Sequence, residues 1–362
     1  RCGAEVTVWD SRADPPQAGS LAQQVPQATR LHGAQGPDAL AGVALVLRSP
    51  GLAPSDVRIA GLLAAAREGG VRVGGELDLF VKALADLKAA SGYAPQVLAV
   101  TGTNGKTTTT ALTALLVERA GRSVVAAGNI GPSMLDTLRD AIDAGALPST
   151  WVLELSSFQL EGVEGFEPTA AVVLNVTQDH LDWHGTLQAY AAAKARIFGT
   201  RSAMVINRDD PRVAAMEPAL ADAATRPARG ARKTPPRRAI RYGLDAPRRA
   251  GDFGLLVDNG MAWLVRALPA DETDRRHRGG APDDGELHLQ RLMPADALRL
   301  RGRHNAANAL AALALASAIG CPLAPMLHAL REYAGEPHRV ESVAIVDGVE
   351  AFDDSKGTNV GA

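Results

Sequence analysis

The 362-residue chain has only two cysteines, Cys2 and Cys321, far apart and outside any CxxC or metal-ligand spacing. A disulfide framework or zinc cluster is therefore not expected, and a reducing compartment such as the cytoplasm fits. Aromatic residues make up 4% of the chain. None of them interleaves with the arginines of residues 226–241, a stretch with seven basic residues, three prolines and no acid. With a net charge of −2 as well, nucleic acid is not the expected partner. No run approaches the roughly 18 apolar residues of a membrane span, and no secretion signal is recognisable. The chain also lacks an initiating methionine, and it stops directly after a polar motif. Both ends read as cut, so the chain is expected to be a truncated piece, unstable or inactive by itself.

What is present is ordinary globular usage, 46% hydrophobic and 22% charged, with length for two or three domains. Residues 1–92 alternate short apolar runs (5–9, 44–47 and 71–73) with helical patterns (62–66 and 77–87). That alternation predicts an α/β domain with parallel strands. A linker is expected at 91–95. A second α/β domain, 93–300, is predicted from near-continuous apolar strands at 97–100, 123–127, 151–155, 170–175 and 203–207, suited to a sheet covered on both faces. Polar insertions near 225–240 and 271–285 read as rim loops. A third domain is expected from 301, with an alanine-rich helix over 304–318 and a hairpin turning at Asp347-Gly348.

The strongest chemical signal is Thr101-Gly102-Thr103-Asn104-Gly105-Lys106-Thr107-Thr108. Strand, glycine turn and helix come in the order a phosphate cradle needs, because glycines let backbone N–H groups converge on an anion at a helix N-terminus. Lys106 would reach the β- and γ-phosphates, and Thr107 would sit on Mg²⁺. Gly102 and Gly105 enclose two residues, where the standard loop encloses four.

Four further features follow. Glu154 closes an apolar strand, where a carboxylate either holds Mg²⁺ or caps the next helix. Asp179, His180 and Asp182 bunch near the end of the next strand, in reach of a second divalent ion. Asn305 and Asn308 share a helix face, as nucleotide ligands or as polar caps. Arg339, Asp354, Lys356 and Thr358 form a polar set that reads either as charge for a γ-phosphate or as a surface turn.

The shortened loop resembles that of the Mur ligase and folylpolyglutamate synthase superfamily. The string Glu154-Leu155-Ser156-Ser157-Phe158-Gln159-Leu160-Glu161, the stretch from Asp179 to Lys194 and the string from Asp354 to Asn359 resemble the D-glutamate-adding branch of the Mur ligases. The resemblance runs from Asp10 to Gly361 with motifs in family order. It implies a Rossmann-like first domain, a P-loop ATPase-like central domain and an incomplete Rossmann-like third domain.

It implies that Gly102 to Thr108, Asn305, Asn308, Arg339 and Asp354 bind ATP. Glu154 and His180 would be catalytic metal ligands, with Thr107 completing the set for two Mg²⁺ sites. Lys194, by itself an unremarked helical lysine, would be catalytic as a carbamate that ligates the metals. Asp10, Ser11 and Arg12, with Ser49, Pro50 and Gly51, would hold the UDP end of the substrate. Asn129, Ser156 and Gln159 would contact its muramyl part. Lys356 and Thr358 would help bind the incoming amino acid.

The implied reaction is ATP-dependent joining of D-glutamate to UDP-N-acetylmuramoyl-L-alanine by a cytoplasmic monomer, in peptidoglycan precursor synthesis. Another Mur ligase, a folylpolyglutamate synthase or a nucleotide-binding fragment without activity is the alternative.

Overall fold

The structure, a computed structural model, describes residues 3–217, 237–270 and 287–357. It divides into two compact units, 1–75 and 76–362. The first contains β1 (Thr7–Asp10), α1 (Ala18–Gln24), β2 (Thr29–His32), β3 (Leu45–Leu47), α2 (Ala60–Glu68) and β4 (Arg72–Gly74). β1 pairs in parallel with β2, and β3 with β4. Its deepest apolar residues are Ile59, Leu63 and Ala66, around α2. The three expected strands are present within two residues of their predicted ends. β2 was not expected, because Thr29-Arg30-Leu31-His32 offers one half-buried apolar side chain and no run.

The second unit begins with α3 (Glu76–Ser91) and β5 (Gln96–Thr101), then α4 (Lys106–Arg119), β6 (Val124–Gly128), α5 (Met134–Asp143), β7 (Thr150–Glu154) and α6 (Ser157–Leu160). β8 (Ala170–Val173), α7 (Leu181–His184), α8 (Leu187–Ala195), β9 (Ala203–Asn207), α9 (Pro211–Ala214) and β10 (Ala239–Tyr242) follow. Six strands form one parallel sheet in the order β10-β9-β8-β5-β7-β6. β5 lies between β7 and β8, so the chain reverses direction across the sheet beside the glycine turn. Ligands gather at the carboxyl ends of strands at such a reversal.

Side chains alternate between the two faces, as strand geometry requires. Leu98, Val100, Val152 and Val172 enter one core with α4. Val97, Ala99, Trp151, Leu153, Ala171 and Val173 enter the other, with Phe80, Leu138, Leu160 and Tyr190. The continuous apolar runs are thus explained by burial on both faces.

Beyond β10 lies a three-stranded antiparallel sheet, β11 (Phe253–Asp258), β12 (Met261–Pro269) and β13 (Leu287–Pro294). The sequence reading missed it. The signal was present, because Asn259 (φ 50°) and Gly260 (φ 77°) make a two-residue hairpin turn, for which Asn-Gly is the strongest local cue. The chain then forms α10 (Arg303–Ala318), α11 (Leu323–Glu332) and the hairpin β14 (Glu341–Val346)–β15 (Val349–Asp353). Asp347 (φ 50°) and Gly348 (φ 80°) occupy the turn as expected.

The expected boundaries at 92/93 and 300/301 differ from the division into compact units. α3 sends Leu77 and Phe80 into the core with Trp151, against which Phe80 packs edge-on at 5.0 Å. α10 is buried on nearly every side, from Ala306 to Ala316, against α4 and the sheet. Its alanines let the helices approach closely. Arg122 donates to the Ile319 carbonyl at 2.8 Å, and Arg119 pairs with Glu332 at 2.8 Å, tying α4 to the ends of α10 and α11. The expected insertions lie outside the described residues except for 225–240, of which 237–240 are described. Among the described residues no helix is long and apolar enough to cross a membrane.

Candidate functional site

The glycine turn sits between β5 and α4, with Gly105 as the residue before the helix at φ 81°. A Cβ there would lie 2.7 Å from Asn308 Oδ1, and one on Gly102 would lie 2.9 Å from Leu174 Cβ. Both glycines are therefore required by close approach, and Gly105 also by its left-handed backbone. The turn is clamped to the chain after β8. The Asn104 N–H donates to Asn175 Oδ1 at 2.8 Å, and Asn175 Nδ2 donates to the Asn104 carbonyl at 3.1 Å. Thr103 N–H donates to the Asn175 carbonyl at 3.0 Å, and Thr177 N–H to Thr103 Oγ1 at 3.0 Å. Asp210 holds that segment from beneath, accepting from Val176 N–H at 2.7 Å.

Two lysines converge on this loop. Lys106 Nζ donates to the carbonyls of Gly102 (3.1 Å) and Thr103 (2.9 Å). Lys194, 1% exposed, donates to the same Gly102 carbonyl at 2.8 Å and to Thr101 Oγ1 at 3.4 Å. Burial lowers the Lys106 pKa, with Glu154, Arg339 and Asp179 as its charged neighbours. Burial, reinforced by Lys106, holds the Lys194 ammonium well below the usual lysine range. A lysine so placed is readily neutral, in contrast to the solvated helical lysine that its sequence position suggested.

Glu154 ends β7 and is 3% exposed. Asn129 Nδ2 donates to its Oε1 at 3.1 Å, and Asn129 N–H to its carbonyl at 2.8 Å. Gly128 brings the neighbouring strand against the Glu154 carbonyl, leaving no room for a Cβ. The helix after β7 is capped by Ser156, whose Oγ accepts from Gln159 N–H while Gln159 Oε1 accepts from Ser156 N–H, a reciprocal capping box. Glu154 is thereby left out of helix capping, and Ser156 and Gln159 carry a local structural duty.

His180 precedes α7 at φ 50°, its Nδ1 3.6 Å from Asp179 Oδ1 and its ring 4.8 Å from that of Phe158. Tyr190 lies one helical turn before Lys194, with its hydroxyl 3.2 Å from Thr103 Oγ1 and its ring under Lys194 Nζ at 4.5 Å. Burial pushes its hydroxyl up to about 12. His184 Nε2 is 2.9 Å from Ser157 Oγ, and burial, with Lys194 and His180 nearby, pulls its pKa down to about 4.

From the other side α10 delivers Asn305 and Asn308, 6% and 8% exposed. Asn308 Nδ2 donates to Asn305 Oδ1 at 3.2 Å, and Asn305 Nδ2 to the Arg301 carbonyl at 2.8 Å. Arg339 follows α11 near enough to Lys106 to act on its charge. Asp354 Oδ1 accepts from Val340 N–H at 3.3 Å, and Lys356 N–H donates to the His338 carbonyl at 3.3 Å. Thr358 lies outside the described residues. Thr107 and Thr108 occupy the first turn of α4.

The remaining candidates belong to the first unit. Arg12 grips Asp10 through two 2.9 Å side-chain hydrogen bonds, which hold the carboxyl near 2. Asp10 and Arg12 line a cavity with Val8, Gln17, Arg30 and Leu31. Ser11 lies between them, exposed. Ser49, Pro50 and Gly51 follow β3 on the surface, where Ser49 accepts from Leu52 N–H at 3.0 Å.

Tyr190, Asn175, Thr177, Asp210 and His184 were not among the sequence candidates. Tyr190 had a usable signal, because residues four apart share a helix face. The others are joined to the loop only by the fold.

Residues 100–234 match the model of the Mur ligase middle domain. The whole chain is 60% identical to a UDP-N-acetylmuramoylalanine--D-glutamate ligase of Albidiferax ferrireducens and covers 70% of it. A protein of the same name from Burkholderia pseudomallei is 55% identical, with all of this chain and 71% of that one covered. Among solved structures, UDP-N-acetylmuramoylalanyl-D-glutamyl-2,6-diaminopimelate--D-alanyl-D-alanyl ligase from Acinetobacter baumannii aligns over 97% of this chain and 66% of its own, with TM-score 0.52 and 18% identity. A UDP-N-acetylmuramoyl-L-alanyl-D-glutamate--2,6-diaminopimelate ligase aligns over 83% and 61%, with TM-score 0.52 and 24% identity. These two likenesses concern the fold.

Proposed function

The chain belongs to the Mur ligase family, and we propose that it joins D-glutamate to UDP-N-acetylmuramoyl-L-alanine at the expense of ATP, in peptidoglycan precursor synthesis. The observation that carries this reading is the meeting of Lys106, Lys194, Glu154 and Asn308 around one glycine turn at the carboxyl ends of β5 and β7. Identity of 55–60% to D-glutamate ligases over the full chain selects the substrate.

Lys106 and the loop N–H groups hold the β- and γ-phosphates, with Arg339 adding positive charge from α11's side. Asn305 and Asn308 flank the nucleotide, and Asp354 joins it from the hairpin. An oxygen of the alanyl carboxylate attacks the γ-phosphorus, and ADP leaves. The D-glutamate amine then attacks the acyl carbon, loses a proton, and inorganic phosphate departs as the amide forms. No side-chain nucleophile is needed, so positioning and charge neutralisation supply the catalysis.

Glu154 and Thr107 offer the oxygen donors that a hard cation prefers, with His180 adding a nitrogen, and magnesium bound there would neutralise phosphate charge. Lys194 joins them as a carbamate. Its buried, readily neutral amine supports this, since a neutral amine adds CO₂ and releases one proton. The UDP end rests on Asp10, Ser11, Arg12 and Ser49, Pro50, Gly51, and the muramyl part on Asn129, Ser156 and Gln159. Lys356 and Thr358 receive the amino acid. The enzyme acts as a cytoplasmic monomer with two magnesium sites.

The test is phosphate release with MgATP, UDP-N-acetylmuramoyl-L-alanine and either D-glutamate or L-lysine. Release with D-glutamate alone supports the assignment. Release with L-lysine but not D-glutamate overturns it.

A further inference from the structure

The loop and the Glu154 turn are joined by a residue with no place in the chemistry above. His184 ends α7, and Gly185, at φ 79°, turns the chain away into α8. Its Nε2 lies 2.9 Å from the hydroxyl of Ser157, the first residue of α6 and only 2% exposed. The imidazole stacks on Phe158 at 5.7 Å with 20° between planes, and its centroid is 5.2 Å from that of Tyr190. Tyr190, 1% exposed, in turn reaches Thr103 in the loop and underlies Lys194.

One imidazole therefore touches both the helix that follows Glu154 and the tyrosine that braces the phosphate loop. We propose that His184 is a positioning residue, setting the spacing between the Glu154 turn and the loop with its two lysines. This rests on reading the loop as a phosphate cradle. Removing the ring leaves a hole between α6 and α8 and a buried Ser157 hydroxyl without its partner. Tyr190 can then relax away from Thr103, and the loop loses a brace. The hydrogen bond and the ring packing are separable, because glutamine retains a side-chain N–H that can reach Ser157, whereas phenylalanine retains the ring alone.

The experiment measures MgATP and UDP-N-acetylmuramoyl-L-alanine binding separately, by calorimetry, on the unmodified chain and on His184→Ala, His184→Gln and His184→Phe, with a thermal melt of each. His184→Ala is expected to weaken MgATP about tenfold, the scale of one lost buried hydrogen bond, and the UDP substrate by much less, because only its muramyl contacts Ser156 and Gln159 lie at α6. His184→Gln, which keeps a bond to Ser157, and His184→Phe, which keeps a ring against Tyr190, each recover part of the nucleotide affinity, and His184→Phe also recovers the melting temperature. Equal MgATP binding by all four proteins overturns the inference and leaves the proposed function standing. Equal weakening of both ligands in His184→Ala, or full recovery by His184→Phe, also overturns it by reducing His184 to general packing. Should His184→Ala not fold, the glutamine and phenylalanine variants still decide. Failure of the unmodified chain to bind MgATP removes the functional reading and this inference together.

Discussion

The loop end of the six-stranded sheet and the segment 338–357 both bring charge to the proposed reaction, but they are built in opposite ways. At the loop, the polar groups are buried and hold one another. Lys194 is 1% exposed, Glu154 3% and Thr103 5%, and each has named partners from a different element. In the later segment, order is local and wet. His338 Nδ1 meets Asp353 Oδ2 at 2.6 Å, an interaction that draws Asp353 down to about 2. The hairpin leaves Ile345 and Val349 70% and 69% exposed. The loop end is thus preorganised before any ligand arrives, and donors fixed in a dry site are worth most there. The hairpin contributes groups whose geometry depends on a few exposed contacts.

The largest expected effect follows at once. Lys106→Ala should lower the rate of phosphate release by about 10²- to 10³-fold, as loss of a preorganised donor does, while Lys356→Ala in the exposed segment should cost far less. Equal losses in a steady-state assay would erase the contrast.

Next is Asn175→Ala, which removes both side-chain bonds of the clamp on Asn104. Calorimetry should show MgATP binding weakened about tenfold with the UDP substrate unaffected. Unchanged nucleotide binding would mean that the clamp does not shape the loop.

A pH titration reads the burial directly. All four tyrosines have pKa values raised, chiefly by burial, and that of Tyr190 reaches about 12. A folded acid with a raised pKa holds its proton longer than the unfolded chain does. The resulting stability is complete below pH 10 and is lost as pH climbs from there through the folded value, about 12 for Tyr190. Tyrosinate absorbance should therefore stay low in native protein just above pH 10 and appear fully in denaturant. Native titration near 10 would place Tyr190 in water.

The smallest effect belongs to the hairpin. Val349→Thr should shift stability by no more than about 0.5 kcal/mol, as exposed substitutions do. A larger loss in a denaturant melt would show that the hairpin is packed more tightly than its exposure indicates.

Sequence alone was a good guide where one physical signal dominates. The buried strands declare themselves by continuous apolar runs, and the loop by glycines before a lysine and threonine. Glu154 was legible because it breaks an apolar run at a strand's carboxyl end. Lys194 was legible only by resemblance, since nothing in Tyr190-Ala191-Ala192-Ala193-Lys194 says that the helix faces a glycine carbonyl rather than water. His184 and Asp210 carried no local signal, because their partners lie 27 and 34 residues away. The sheet β11–β13 was missed through an unread Asn-Gly turn, and nothing in the alanine-rich run of α10 says that it packs against α4 and the sheet.

The proposed reaction transfers the γ-phosphoryl group at this loop to the substrate carboxylate. The direct measurement uses UDP-N-acetylmuramoyl-L-alanine with heavy oxygen in the alanyl carboxylate, together with MgATP and D-glutamate, followed by mass analysis of the released phosphate. Transfer through an acyl phosphate leaves one labelled oxygen in each phosphate. Phosphate released without label while the amide forms would contradict it.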